Sequence, residues 1–353
     1  MAVLEGAASE LRDDNIRLSE RSNGGARRVP YETDVWARWK DGAAYVEAVR
    51  PFGDADVAGL RPGLVVTHVN GIPVEQAVRD RLDGGISTPH AQDWALRHVL
   101  AGPRTGPLRI TMRDGAQSRE LVLERTEPRI TGSAAFGRRM GDERDIGYLR
   151  VRFGADNSKL VERFDAVLNY LDDTRALILD IRDPPGPGDR EATRDMLARF
   201  ASAEVQWQAR EAGAPHHGGE SVAPRGKIYR APVVVLVDHW TAGEGEALAA
   251  GMRVVAGARI VGTRMTGLHG DLAESRLPHS GIVVRYPAHR TFLMTGEPRE
   301  KMKPDVLIDL AAPQGGPGDP ILYAALKLLE PCPAPACRNA PGSPPPAHGS
   351  PRR

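Results

Sequence analysis

Cysteine is almost missing from this chain. Its 353 residues include two, Cys332 and Cys337, both in the Pro/Ala-rich stretch PCPAPACRNAPGSPPPAHGSPRR. That excludes a disulfide framework, and without neighbouring histidines the pair is no zinc site. The two could close a small loop in an oxidising compartment, but the surrounding composition reads as a disordered tail with nothing to hold a partner base. No metal and no cofactor is expected from any cluster in the sequence. No apolar run approaches the ~18 residues a membrane-crossing helix needs. An excess of either charge is also lacking: 47 Lys and Arg face 46 Asp and Glu. A global field able to attract nucleic acid or an anionic membrane is therefore excluded. The local pairs Arg27-Arg28 and Arg138-Arg139 read as solvated surface. The first thirty residues carry too many charges for a signal-peptide core, so the sequence as given reads as cytoplasmic. An export signal upstream of it would make the protein periplasmic or secreted.

What the protein does have is concentrated between Ala231 and Met252, APVVVLVDHWTAGEGEALAAGM. The run Val233 to Val237 reads as a strand buried on both faces. It breaks at Asp238-His239-Trp240-Thr241, passes through Ala242 and Gly243, and enters an Ala/Leu/Met-rich helix near Glu244. A strand that turns sharply into a helix presents backbone N–H groups at the helix N-terminus, where they can hold a developing oxyanion.

This stretch resembles the active-site block of the tail-specific (C-terminal-processing) serine peptidase family, whose pattern is apolar strand, Asp-x-x-Thr-x-Ser-x-x-Glu, helix. Asp238, Thr241 and Glu246 match in order and spacing, and the serine position falls on Gly243. Four further blocks resemble the family in the right order: Asp145 to Arg150, Leu177 to Gly188, Val261 to Gly267, and Lys303 to Val306. The resemblance covers roughly residues 36 to 312. It implies an α/β core with the ββα spiral of the ClpP/crotonase type, preceded by a PDZ-like β-rich domain.

The sequence divides into four parts: a polar segment 1–35, in which Gly24-Gly25 and Pro30 break any helix, a β-rich unit 36–125, a core 126–330, and the tail 331–353. In the second part, Val57 to Val66 followed by Asn70-Gly71 resembles the PDZ signature, and Asn70-Gly71 is itself a hairpin signal. PDZ domains capture the C-terminus of a polypeptide by strand addition, and Gly42, Ala43 and Ala44 are the candidate peptide-binding loop. In the core, strands at 146–151, 176–181, 233–237, 259–262 and 281–286 alternate with helical stretches at 156–172, 192–203 and 244–256, and a last helix spans 319–329. Alternation at this spacing argues for α/β.

Taken position by position, the resemblance implies a Ser–Lys dyad that is absent here. The serine position is Gly243, and the lysine position is Leu268, which cannot take a proton. A second family type uses an upstream His and a Glu near the closing Pro-Asp motif. Glu300 sits where that Glu would be, but the first histidine is His68, inside the PDZ-like unit. The implied oxyanion donors are the N–H of Glu244 and one from the Gly186/Gly188 region. Thr241 is a candidate N-cap for the helix, or else a displaced nucleophile. His239 and His269 flank the site, and His216-His217 falls in a Gly/Pro loop. Asp180 and Arg182, at a strand end before a Pro/Gly loop, read as an ion pair fixing that loop.

Two readings remain open. The first is a pseudo-peptidase that binds extended polypeptides or C-termini. The second is an active hydrolase with a rearranged site, using Thr241 or a water activated by Glu244, Glu246 or a histidine. The expected partner is a polypeptide in either case, and the oligomeric state is not fixed by the sequence.

Overall fold

The computed structural model describes all residues except 23–24, 86–87, 125–132, 155–156, 185, 211–218, 313–317 and 331–353. Cys332, Cys337 and His216-His217 therefore lie outside the described residues.

The strand Val233–Val237 is buried at all five positions and sits inside a six-stranded sheet. The order is Val306–Leu307, Arg259–Gly262, Val233–Val237, Ala176–Asp180, Ile146–Val151, Ala135–Met140. Neighbours are parallel, except that Ala135–Met140 closes one side antiparallel. Side chains alternate between the faces of a strand, so each apolar run feeds two cores. Leu177, Leu179, Val233, Val235 and Val237 join the larger core with Phe164, Met196 and Leu248 from three helices, Leu160–Tyr170, Arg190–Leu197 and Glu244–Val255. Ile178, Val234 and Leu236 point the other way, against Ile321 and Ala325 of the closing helix Pro320–Leu328.

The β-rich unit is a separate antiparallel sheet. Its order is Val35–Lys40, Ala43–Val49, Val65–Val69, Leu108–Asp114, Gln117–Leu123, and its own core is covered by the helices Val74–Leu82 and Pro89–Ala101. The hairpin read from Asn70-Gly71 is present. Both residues have positive φ (+50° and +78°), as a type I′ turn requires, and they pair Val69 with Ile72.

Segment 1–35 differs from expectation. Ala2–Glu10 is helical, because the breaking residues lie beyond it. Arg17–Leu18 then adds an antiparallel strand to the edge of Val283–His289. The rest of the segment runs along the junction between the two sheets. There Trp36 stacks on His239 (centroids 5.2 Å, 12° between planes) and meets the edge of Trp240 at 6.4 Å. Arg50 lies over Trp240 and donates to the Pro30 and Thr33 carbonyls and to Asp183. Asp180 and Arg182 form the expected pair. It is bidentate, at 2.9 and 2.8 Å, and Arg182 also grips Asp319, which caps the closing helix.

Candidate functional site

The turn out of Val233–Val237 is built by one carboxylate. Asp238 Oδ1 accepts the N–H groups of Trp240 (3.0 Å) and Thr241 (2.8 Å) and the Thr241 hydroxyl (2.9 Å), while Oδ2 accepts the Asp183 N–H (3.0 Å). Burial, with repulsion from Asp183, pushes the Asp238 acid up to about 6, against the pull of Arg182 and these donors. Thr241 is fully buried and its hydroxyl is occupied in this turn, where it also accepts from the Asp238 N–H. It is not the helix cap. The position just before the helix belongs to Gly243, two residues on, because the Asp238 turn already uses the threonine.

Gly243 has φ +58° and ψ −117°, a conformation that L side chains avoid. Its N–H donates to Glu246 Oε2 at 3.1 Å. Glu246 lies one turn into the helix, the spacing at which a carboxylate reaches back to the helix start. The same carboxylate takes the N–H groups of Gly267 (2.7 Å) and Leu268 (3.1 Å), so it ties the elbow to the segment following Arg259–Gly262. Burial pushes Glu246 up to about 7, with Arg299 and the three N–H groups working against it. Both oxygens are occupied by backbone donors.

The space over Gly243 is filled from segment 1–35. Tyr31 packs with Ala242 and Leu268, and its hydroxyl stands 3.3 Å from where a β-carbon on Gly243 would lie. Burial pushes the phenol up to about 12. Leu268, expected at the base position, is 4% exposed and offers no group that exchanges a proton. The Glu244 N–H donates to the Pro187 carbonyl at 3.0 Å, and the Gly186 N–H donates to the Phe153 carbonyl at 3.0 Å. Two of the three suggested oxyanion donors, Glu244 and Gly186, thus already hold carbonyls of this protein. Gly188 (φ +82°) is beside them, since a β-carbon there would stand 2.8 Å from Glu244 Cβ. Burial also raises the Glu244 acid, opposed by Arg299 and Arg190.

The remaining candidates are placed elsewhere. Glu300 comes near through its backbone, whose carbonyl would lie 3.1 Å from a β-carbon on Gly267, but its Oε1 is held by Arg290 at 2.8 and 2.6 Å. Gly42 is exposed in a tight turn with Asp41 (φ +76° and +50°), joining the paired Lys40 and Ala43, and Ala44 is buried in the core of the β-rich unit. None of the three reaches the elbow's hydrogen bonds. His239 is stacked between the two sheets, and burial together with nearby Arg97, Arg38 and Arg264 drops its imidazole to about 3. His269 is partly exposed and pairs with Asp13 at 3.3 Å, which raises its affinity for a proton. Sequence reasoning missed Tyr31 and Pro187. A lone Tyr in a polar segment gives no signal, and a backbone carbonyl can come from any residue type.

Residues 145–308 match the model of peptidase family S41. No curated protein matches the sequence. Among solved structures, a photosystem II D1 C-terminal processing protease aligns over 87% of this chain and 81% of its own, at 19% identity and a TM-score of 0.54. Mature CPAF aligns over 86% and 81%, at 14% identity and a TM-score of 0.54. A complex of mature CPAF with lactacystin aligns over 86% and 83%, at 14% identity and 0.52. Identities this low speak for a shared fold and nothing finer. The family match spans every element of the elbow, so the likeness to peptidase family S41 covers the residues that build it.

Proposed function

We propose that this protein binds extended polypeptides or their C-termini on a peptidase scaffold and does not hydrolyse them. The observation that carries the reading is the filled elbow. Gly243 offers no nucleophile, Tyr31 and Leu268 close the space beside it, and the Glu244 N–H is bonded to the Pro187 carbonyl at 3.0 Å. An oxyanion hole works through donors left free for charge that develops in the transition state. A donor committed to a ground-state carbonyl contributes nothing until that bond breaks. The alternative, a rearranged hydrolase, is disfavoured by the same geometry. Thr241 is fully buried with its hydroxyl bonded to Asp238, and Glu246 accepts three N–H groups.

In this reading, residues 36–125 act as a PDZ-like unit and 126–330 as a ClpP/crotonase-like spiral. Strand addition needs an unpaired edge. Val35–Lys40 is such an edge, but its Trp39 N–H is held by Asp93 at 2.7 Å from the helix Pro89–Ala101. An added peptide strand must therefore displace the Asp93 carboxylate.

The test uses purified protein with a reduced, carboxymethylated polypeptide. The expected result is saturable binding, no cleavage, and no labelling by a fluorophosphonate probe. Gly243→Ser should stay at background, because a nucleophile without a base is a poor catalyst and such groups act as a unit. Turnover of polypeptide that Thr241→Ala abolishes would establish the rearranged hydrolase instead.

A further inference from the structure

Where segment 1–35 crosses the β-rich unit it borders a cavity of about 160 Å³ that is rich in unpaired arginine. Arg17, Arg27, Arg28 and Arg81 all line it, and none of them has an ion-pair partner among the described residues. Arg27, read from sequence as surface, is 4% exposed, and its side-chain bond is one contact of 3.3 Å to the Glu32 carbonyl. Arg28 reaches the Leu18 carbonyl at 3.4 Å. Arg81 bonds Ser9 and His98, leaving Nε buried without a partner.

Four carboxylates also line the cavity, Glu5, Asp13, Asp14 and Glu20, and Glu32 stands close by; their closest bonds go to groups other than these four arginines. Asp14 takes the Trp94 indole and His98, Asp13 pairs with His269, Glu5 takes Ser22, and Glu32 pairs with Arg21, while Glu20 is exposed at the rim. Burying a cation without a partner is costly; Arg27 is buried, Arg17, Arg28 and Arg81 are half-buried, and with Arg21 the lining guanidinium groups outnumber the four lining carboxylates, which leaves a net positive charge for an anion to balance. Burial and the charges of Arg21, Arg17 and Arg104 weaken Arg28's hold on its proton, against the pull of Glu32.

We propose that this cavity is a binding site for a compact oxyanion of the phosphate class. The arginines arrive from separate elements, Arg17 from the added strand, Arg27 and Arg28 from the return of the segment, and Arg81 from the helix Val74–Leu82. Guanidinium groups converging from several directions match a tetrahedral anion with four oxygens better than a planar carboxylate with two. The site is also connected to the elbow. Arg17 lies over the Tyr31 ring at 5.1 Å and points Nη2 at its hydroxyl (3.4 Å). An anion held there braces the segment that covers Gly243. Such a site stands whether or not the elbow binds polypeptide.

The experiment is calorimetric titration of the full-length protein with inorganic phosphate, with chloride at matched ionic strength as the control and citrate as the carboxylate arm. Hydrogen exchange of residues 13–34 is followed in parallel. Saturable phosphate binding, tighter than citrate and accompanied by slower exchange in that segment, is the expected result. Arg17→Gln and Arg28→Gln each remove a charge without a carboxylate partner. Both should fold with a Tm at or above the parent's in phosphate-free buffer, and both should weaken phosphate binding about tenfold or more. No saturable phosphate binding, preference for citrate, or undiminished affinity in both variants overturns the proposal.

Discussion

Replacing Gly243 by alanine tests the reasoning about the elbow most directly. At φ +58° and ψ −117° an L residue incurs conformational strain of about 1–3 kcal/mol. The new β-carbon would stand 3.1 Å from the Pro187 carbonyl oxygen and 3.3 Å from the Tyr31 hydroxyl. The carbonyl cannot retreat freely, because it holds the Glu244 N–H at 3.0 Å, a bond worth about 1 kcal/mol net. Against this, alanine restricts the unfolded chain and offsets about 0.4–1 kcal/mol. The balance is a loss of about 1–3.5 kcal/mol, a fall in Tm of about 1–5 °C for a protein of this size. Gly42→Ala supplies the control, since Gly42 also has positive φ (+76°) but no atom within 4 Å of its β-carbon position. The excess of Gly243→Ala over Gly42→Ala measures the collision. Tyr31→Phe removes one colliding atom, so the double variant with Gly243→Ala should recover about 0.5 kcal/mol relative to additivity. Urea or thermal unfolding reads the four variants against the parent. A Gly243→Ala protein as stable as the parent, or less affected than Gly42→Ala, refutes the account of a filled elbow.

Asp180→Ala strips the fully buried partner from Arg182 and from the Tyr148 hydroxyl (2.6 Å), and should lower stability by about 3–5 kcal/mol in urea unfolding. Glu246→Gln leaves one of three N–H donors facing an amide NH2; a loss of about 1–3 kcal/mol and faster hydrogen exchange at Gly267 and Leu268 are expected. On acidification the unfolded His239 gains its proton near 6.5 and the folded one only near 3, so this group removes stability as pH falls through that window. Glu246, raised from 4.5 to about 7, acts the other way and removes stability as pH rises from 4.5 to 7. His239→Phe should therefore lose less stability than the parent between pH 6.5 and 3, and an unchanged pH profile would show that the imidazole is not held neutral.

The core strands were legible because burial on both faces forces continuous apolar runs. Ile146–Val151, Val233–Val237 and Arg259–Gly262 have the bounds expected of them. Helix ends were less so. The stretch expected as 192–203 is helical over Arg190–Leu197, starting where Asp189 accepts the Ala192 N–H at 2.9 Å, a cap the apolar pattern does not announce. The strand expected at 281–286 lies at Val283–His289, paired with Asp271–Arg276 in a sheet with exposed positions, where alternation is weak. At the site, the strand–turn–helix elbow that holds Gly243 could be read from the apolar run and the small residues after it. What surrounds it could not, because Tyr31 arrives from more than 200 residues upstream by a contact no local pattern encodes.

Gly243 and Leu268 are physically coupled to the segment that covers the elbow. Tyr31 can lie over residue 243 only because that residue has no side chain, since the hydroxyl stands 3.3 Å from the β-carbon position. It can pack against residue 268 without penalty only because that residue is apolar. A lysine there would have to bury its ammonium beneath an aromatic ring, or lose its proton. With Tyr31 in place the Arg50 guanidinium binds the Pro30 and Tyr31 carbonyls and Asp183, so the covering segment is tied to the loop after Ala176–Asp180. The elbow itself stays intact because its geometry is fixed by Asp238 and Glu246, whose carboxylates bond to backbone N–H groups and, at Asp238, to the buried Thr241 hydroxyl. Turn geometry and the filling of the space over Gly243 are thus held by different residues. That separation lets the fold keep its strand–turn–helix corner while the space beside Gly243 is filled by Tyr31 and Leu268.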